Sequence, residues 1–273
     1  MPTEKDFPYE IDQKSYRRFE QKNNMLYRRL WDKSLPTYRK MFECNIDNHI
    51  NSGEDGYSRI DFALVAAGWT VYEKFPFAFS WHRDELIDIG YGVDWMRDKY
   101  YIKDLKTFTD KTKKAAKFYG ASLVGIADVN ERWIYKTGFV RPASISEADS
   151  KEKIRKGGAS ISVLENPINL PEGITKVIVM AIEMDHMAIS TAPAQPASAA
   201  AAVGYSKMAF AIACLGEFIR NLGYRAIQCG NDTALSIPLA IDAGLGALGR
   251  NGLLLTPEYG PRVKFVKSLQ ICP

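Results

Sequence analysis

Apolar and polar positions alternate in two clear registers over the second half of the chain. TDKTKKAAKFYG, residues 109–120, has the spacing of an amphipathic helix closed by Gly120, and ASLVGIADV after it is a short apolar run that predicts a buried strand. The same order recurs downstream. TKVIVMAIEM predicts a second buried strand, SAAAAVGYSKMAFAIACLGEFIRNLGY a long helix ending near Leu222 and Gly223, and YRAIQCG a third strand. SIPLAIDAGLG then predicts a helix, and NGLLLT and RVKFVKSLQI the closing strands. The turn TPEYGPR between those two has hairpin character, which argues against a purely parallel sheet.

The first half is less regular. KSYRRFEQKNNMLYRRLWDKS predicts a helix in which Tyr16, Phe19, Leu26, Tyr27, Leu30 and Trp31 roughly share a face, as a peripheral arm would. Glycines punctuate NSGEDGYS, DFALVAAGW predicts a short helix stopping near Gly68, and an aromatic-rich stretch follows from Trp69 to Trp95. Residues 136–173 read as polar and irregular.

Composition narrows the function classes. A chain of 273 residues, 46% hydrophobic and 25% charged, has enough apolar residues for a large core. Its net charge of +4 is dispersed, with no basic stripe, so nucleic acid is not an expected partner. The most apolar long segment is interrupted by Tyr205, Ser206, Lys207 and Glu217, which argues against a membrane span, and the N-terminus has no signal-peptide pattern. Cys44, Cys214, Cys229 and Cys272 form no C-x-x-C pair and His49, His82 and His186 lie far apart, so no metal site is expected within these residues.

One motif invites a cofactor. Gly244, Gly246 and Gly249 have the G-x-G-x-x-G spacing of a loop that cradles a dinucleotide pyrophosphate. The context is reversed, however. That loop needs a strand before it and a helix opening within it, whereas here a helix precedes and a strand follows, so the first glycines read as positive-φ helix caps.

LVGIADVNERWIY, GYSKMAFAIACLGEFIRNLGY, CGNDTALSIPLAIDAGLGALGRNGLLLTPEYGPRVK and AAGWT together resemble the corrinoid-dependent reductive dehalogenases, densest from Lys176 onward and weaker back to about residue 58. The resemblance implies an α+β fold, a nitroreductase-like cobalamin-binding core with helices flanking a mixed sheet, spanning 106–273. Residues 1–105 would form an N-terminal arm and substrate-channel segment. It implies base-off cobalamin and two [4Fe-4S] clusters, whose cysteine ligands these residues lack, so the chain is expected to be incomplete. It further implies reductive dehalogenation of a chlorinated alkene or alkane by cob(I)alamin, at the exoplasmic face of the bacterial cytoplasmic membrane. A membrane-anchor protein and a second copy of the chain are the implied partners.

The resemblance also assigns residues. Tyr205 matches the family's catalytic tyrosine, Lys264 stands where the family places a basic residue, and Asn231 matches a site asparagine. A nearby cation would favour the tyrosinate and so strengthen a phenol as a proton donor. Trp69 and Phe75 fall where the family lines its substrate channel with aromatics. Ala201, Gly244, Gly246, Gly249, Asn251 and Gly252 suit close backbone approach to a corrin, and Thr233 and Ser236 are candidate donors to its nucleotide tail. Without the family frame Tyr205 reads as a core tyrosine, Lys264 as a surface lysine and Asn231 as a turn residue. Two other functions stay open: an enzyme like epoxyqueuosine reductase, and a corrinoid-binding protein without catalysis.

Overall fold

A computed structural model describes residues 9–38, 46–74, 99–140 and 164–271. In chain order the elements begin with α1 (Met25–Trp31), α2 (Ile46–Ser52), α3 (Arg59–Gly68), α4 (Thr70–Lys74), α5 (Leu105–Phe118), β1 (Leu123–Asp128), β2 (Thr137–Val140) and β3 (Leu164–Pro167). They continue with β4 (Lys176–Glu183), α6 (His186–Ser190), α7 (Gln195–Asn221), β5 (Arg225–Cys229), α8 (Ser236–Asp242), β6 (Ala247–Leu248), β7 (Leu254–Leu255) and β8 (Val263–Ile271).

These residues divide into an arm unit, Met1–Asn51 with Glu131–Asn169 and Asp232–Ala234, and a core unit holding the rest. The division differs from the boundary expected at residue 105. Residues 59–74 pack as α3 and α4 against α7 and so belong to the core unit, whereas 131–169 join the arm.

In the arm unit the expected helix over residues 14–34 shortens to α1 and a single 3₁₀ turn at Gln21–Asn23. The residues before it are drawn into long-range bonds instead. Tyr16 Oη donates to the Arg132 carbonyl, Arg18 Nη2 donates to the Tyr135 carbonyl at 2.8 Å, and buried Gln21 accepts from the Phe139 N–H at 2.6 Å. Satisfying buried backbone groups of another segment outweighs the modest preference of these residues for helix. Strands β2 and β3 pair antiparallel within the stretch that reads as irregular.

The core unit is built on one sheet in the order β1-β4-β8-β5. Every pairing among its described strands is antiparallel, where the sequence led us to expect a mixed sheet, and the α+β class stands. Strand β4 lies inside the sheet and is buried along nearly its whole length, which explains its unbroken apolar run. Helices α5 and α7 cover one face through Ile178, Met180, Ile182 and Val266 against Met208, Ile212 and Leu215. Each such large side chain taken from water contributes roughly 1.5–3 kcal/mol. Helix α8 covers the other face, and a Cβ on Gly125 of β1 would stand 2.4 Å from the Ala243 carbonyl oxygen.

Helix α7 is long and apolar enough to cross a membrane by length and composition, but 61% of its most apolar window is buried inside the protein. Here it is the core helix of the unit. The turn at TPEYGPR is also reassigned. It links β7 to β8, but β7 pairs with β6 and β8 with β4 and β5, so it joins two sheets rather than two strands of a hairpin. The bridge between Thr256 and Gly260 closes the turn on itself.

Candidate active site

The site is assembled along one side of α7, where Gly204, Tyr205 and Ser206 interrupt the apolar pattern. One turn earlier, Ala202 meets Gly68, the last residue of α3, so closely that a Cβ on Gly68 would stand 2.9 Å from the Ala202 Cβ. The small residues of PAQPASAAAAV thus admit a neighbouring helix. That approach lays Trp69, the next residue, over Tyr205 with ring centroids 5.0 Å apart and planes inclined by 24°. Tyr72 meets Tyr205 edge-on at 5.2 Å and Trp69 edge-on at 5.4 Å. Each such aromatic pair adds roughly 0.5–1.5 kcal/mol beyond its buried area.

Ser206 fastens this aromatic wall to α7. Its hydroxyl donates to the Gly68 carbonyl at 2.6 Å and accepts from the Tyr72 N–H at 3.2 Å. Both bonds satisfy backbone groups at the break between α3 and α4.

The polar half of the cluster comes from the sheet. Asn231 follows β5 by two residues, and its Nδ2 donates to Tyr205 Oη at 3.0 Å. Lys264 projects from β8 opposite Ile182, and its Nζ stands 4.9 Å from the Tyr205 ring centroid. The lysine stem passes close under α7, because a Cβ on Gly204 would lie 3.0 Å from Lys264 Cγ. Burial disfavours the charged form and pushes the Lys264 ammonium below its ordinary value of 10.5. An N–H donated to the phenol oxygen and a cation over the ring both stabilise a tyrosinate, the species left when Tyr205 gives up its proton. Tyr205, Asn231, Lys264 and Trp69 all belong to the core unit.

The glycine turn has a different logic. Gly244, at φ 74°, closes α8 in a Schellman arrangement in which its N–H donates to the Ile241 carbonyl and the Leu245 N–H to that of Ala240, both at 2.9 Å. A Cβ on Gly246 would lie 2.2 Å from the Leu255 carbonyl oxygen, across the β6–β7 pair. Gly249 and Gly252 belong to the tight connection between those strands, where the Gly249 N–H donates to the Leu253 carbonyl and Asn251 Oδ1 accepts from the Leu253 N–H. A helix C-terminus rather than an N-terminus faces this turn, which disfavours pyrophosphate.

The remaining candidates scatter. Ala201 is half-buried on α7. Ser236 Oγ accepts from Lys267 Nζ at 2.9 Å. Thr233 falls in the arm unit, is 1% exposed, and donates its hydroxyl to Asp232 Oδ2, so its proton is already committed within that unit. Phe75, His82, Cys44 and Cys272 lie outside the described residues. Among the described residues no three His, Cys, Asp or Glu side chains gather closely enough to hold a metal ion. A cavity of about 370 Å³ lies elsewhere in the core unit, lined by Phe108, Thr112, Ile126 and Gln270.

No protein-family model matches the chain. Curated relatives do. A tetrachloroethene reductive dehalogenase of Dehalobacter restrictus is 39% identical over 217 residues, covering 72% of this chain and 38% of that protein. One of Sulfurospirillum multivorans is 32% identical over 234 residues, covering 80% of this chain and 46% of that protein. The chain belongs to the reductive dehalogenase family. It spans less than half the length of either relative.

Solved reductive dehalogenases share the fold. One in complex with 3-bromo-4-hydroxybenzoic acid superposes with a TM-score of 0.64 at 16% identity, over 97% of this chain and 32% of that one. Another, whose title speaks of B12-dependent dehalogenation, superposes at 0.60 with 17% identity, over 93% and 31%. Within this chain, sequence reasoning missed Tyr72, Gly204 and Ser206 as parts of the cluster. The available signal was GYS itself, a glycine and a hydroxyl flanking a tyrosine inside an otherwise apolar helix, where each lowers helix propensity.

Proposed function

We propose that the protein carrying this chain removes halide reductively from a small organohalide, a chlorinated alkene or alkane, with Tyr205 as proton donor. The balance is R–X plus two electrons and one proton, giving R–H and X⁻. A base-off corrinoid, when bound, supplies the low-potential electrons that break the carbon–halogen bond. Residues of the glycine turn fit such a group. Leu248, Leu253 and Leu255 are exposed there, and neither Gly244 nor Gly252 has any atom within 4 Å of where a Cβ would be. Apolar edges beside uncovered backbone suit a broad ring that carries amides.

The observation that carries the reading is the convergence on Tyr205 of a donated N–H from Asn231 and the ammonium of Lys264. The phenol gives its proton to carbon, Asn231 and Lys264 stabilise the oxyanion that remains, and solvent reprotonates it. Trp69 and Tyr72 supply an apolar wall suited to a substrate with few hydrogen-bonding groups. The names of the curated relatives support a chlorinated alkene. Family likeness extends the proposal to two [4Fe-4S] clusters as the electron relay, a membrane-anchor partner, a homodimer and an exoplasmic location.

The test is anaerobic turnover of the holoenzyme with reduced viologen as electron donor. Tyr205→Phe should retain the corrinoid spectrum and lose dehalogenation; undiminished turnover would remove Tyr205 from the mechanism.

A further inference from the structure

We propose that Lys267 is a positioning residue for Asn231, and through it for Tyr205. This deepens the tyrosine reading above and rests on it. Lysines 264 and 267 lie three residues apart on β8, and side chains alternate along a strand, so they leave it on opposite faces. Lys264 reaches toward α7 and Lys267 toward α8.

Lys267 has no exposed surface and sits mid-sheet, opposite Val179 on β4 and Cys229 on β5. An ammonium in such a place is unfavourable unless its protons are bonded. Its Nζ donates to the Gly230 carbonyl and, at 2.9 Å, to Ser236 Oγ. Those groups are the exit of β5 and the first residue of α8. The Gly230 carbonyl belongs to the planar peptide unit that joins Gly230 to Asn231. Holding that oxygen therefore sets where the Asn231 backbone begins, and with it the aim of the Nδ2 that meets Tyr205 Oη at 3.0 Å. An apolar residue in the same slot would fill the volume and remove the hydrogen bond that Lys267 makes to that oxygen.

The test uses the holoenzyme and two readouts. In ¹⁵N-labelled protein the Asn231 side-chain amide resonance, assigned by its loss in Asn231→Asp, should shift in Lys267→Met to the position it takes in Tyr205→Phe. Leu269→Ala, a fully buried change two residues along β8, should leave that resonance in place. In turnover, Lys267→Met should lower kcat by at least about tenfold with little change in KM, and should cost nothing further in an Asn231→Ala background. A folded Lys267→Met protein with a native Asn231 resonance, or losses that multiply in the double variant, overturns the proposal. If Lys267→Met does not fold, Ser236→Ala removes one acceptor of the Lys267 ammonium and should give an intermediate shift; no shift there overturns it equally. If Tyr205→Phe keeps full turnover, the tyrosine reading fails, while the resonance still reports whether Lys267 sets Asn231.

Discussion

The tyrosine cluster and the glycine turn are the two conspicuous motifs of the core unit, and they are built in opposite ways. Trp69, Tyr205, Asn231 and Lys264 come from the end of α3, the middle of α7, the exit of β5 and the start of β8, and they meet side chain to side chain. Nothing local to any of the four segments requires that meeting. In the glycine turn every bond described above runs between residues 240 and 255, and each conspicuous glycine has a backbone reason in its φ or in a neighbouring carbonyl. A motif that local geometry already explains is weaker evidence for a ligand than a convergence that it does not.

That contrast can be broken from either side. The largest effect should come from Tyr205→Phe, with turnover down by about 100-fold or more while corrinoid binding survives, as expected for loss of a proton donor. Lys264→Met should follow with a smaller loss in kcat, and Lys264→Arg should change the pH profile. Because burial lowers the Lys264 pKa, its charge is lost as pH rises through a value below 10.5, so activity should decline earlier on the alkaline side than an ordinary lysine would allow. Arginine stays charged, so the alkaline limb of Lys264→Arg should move to higher pH. Linkage has a definite sign here. The folded state binds fewer protons than the unfolded between the two pKa values, so this group adds stability as pH rises across that window.

In the turn, Gly246→Ala should cost about 2–4 kcal/mol in denaturant unfolding, since its Cβ would collide with the Leu255 carbonyl. Gly244→Ala meets no atom and bears only the positive φ, so about 1 kcal/mol is expected. If Gly244→Ala instead abolishes corrinoid retention at unchanged stability, the turn is a ligand surface before it is a backbone device, and the contrast fails.

Elements with a strong period were legible in sequence: β1, β4, β5, α5, α7, α8 and β8 fall where the pattern predicts them. The arm was not. Arg18 and Gln21 bond to backbone more than 100 residues away in sequence, and local periodicity carries no record of such partners. Strand direction was not legible for β4, because a fully buried antiparallel strand shows the same continuous apolar run as a parallel one. For the cluster, family resemblance nominated Tyr205, Asn231, Lys264 and Trp69, and the geometry brings these together. It did not nominate Tyr72, Gly204 or Ser206, whose roles are contacts rather than chemistry.

Ser206 has a consequence for how readily the wall of this site can be altered. A single hydroxyl, next in sequence to the proposed acid, holds the carbonyl of Gly68 and the N–H of Tyr72. Both are main-chain groups, indifferent to which side chains occupy positions 69 and 72. The wall can therefore be repapered while its hinge stays screwed to the frame, and a directed-evolution library randomised at 69 and 72 with Ser206 kept should be rich in folded variants of altered substrate preference.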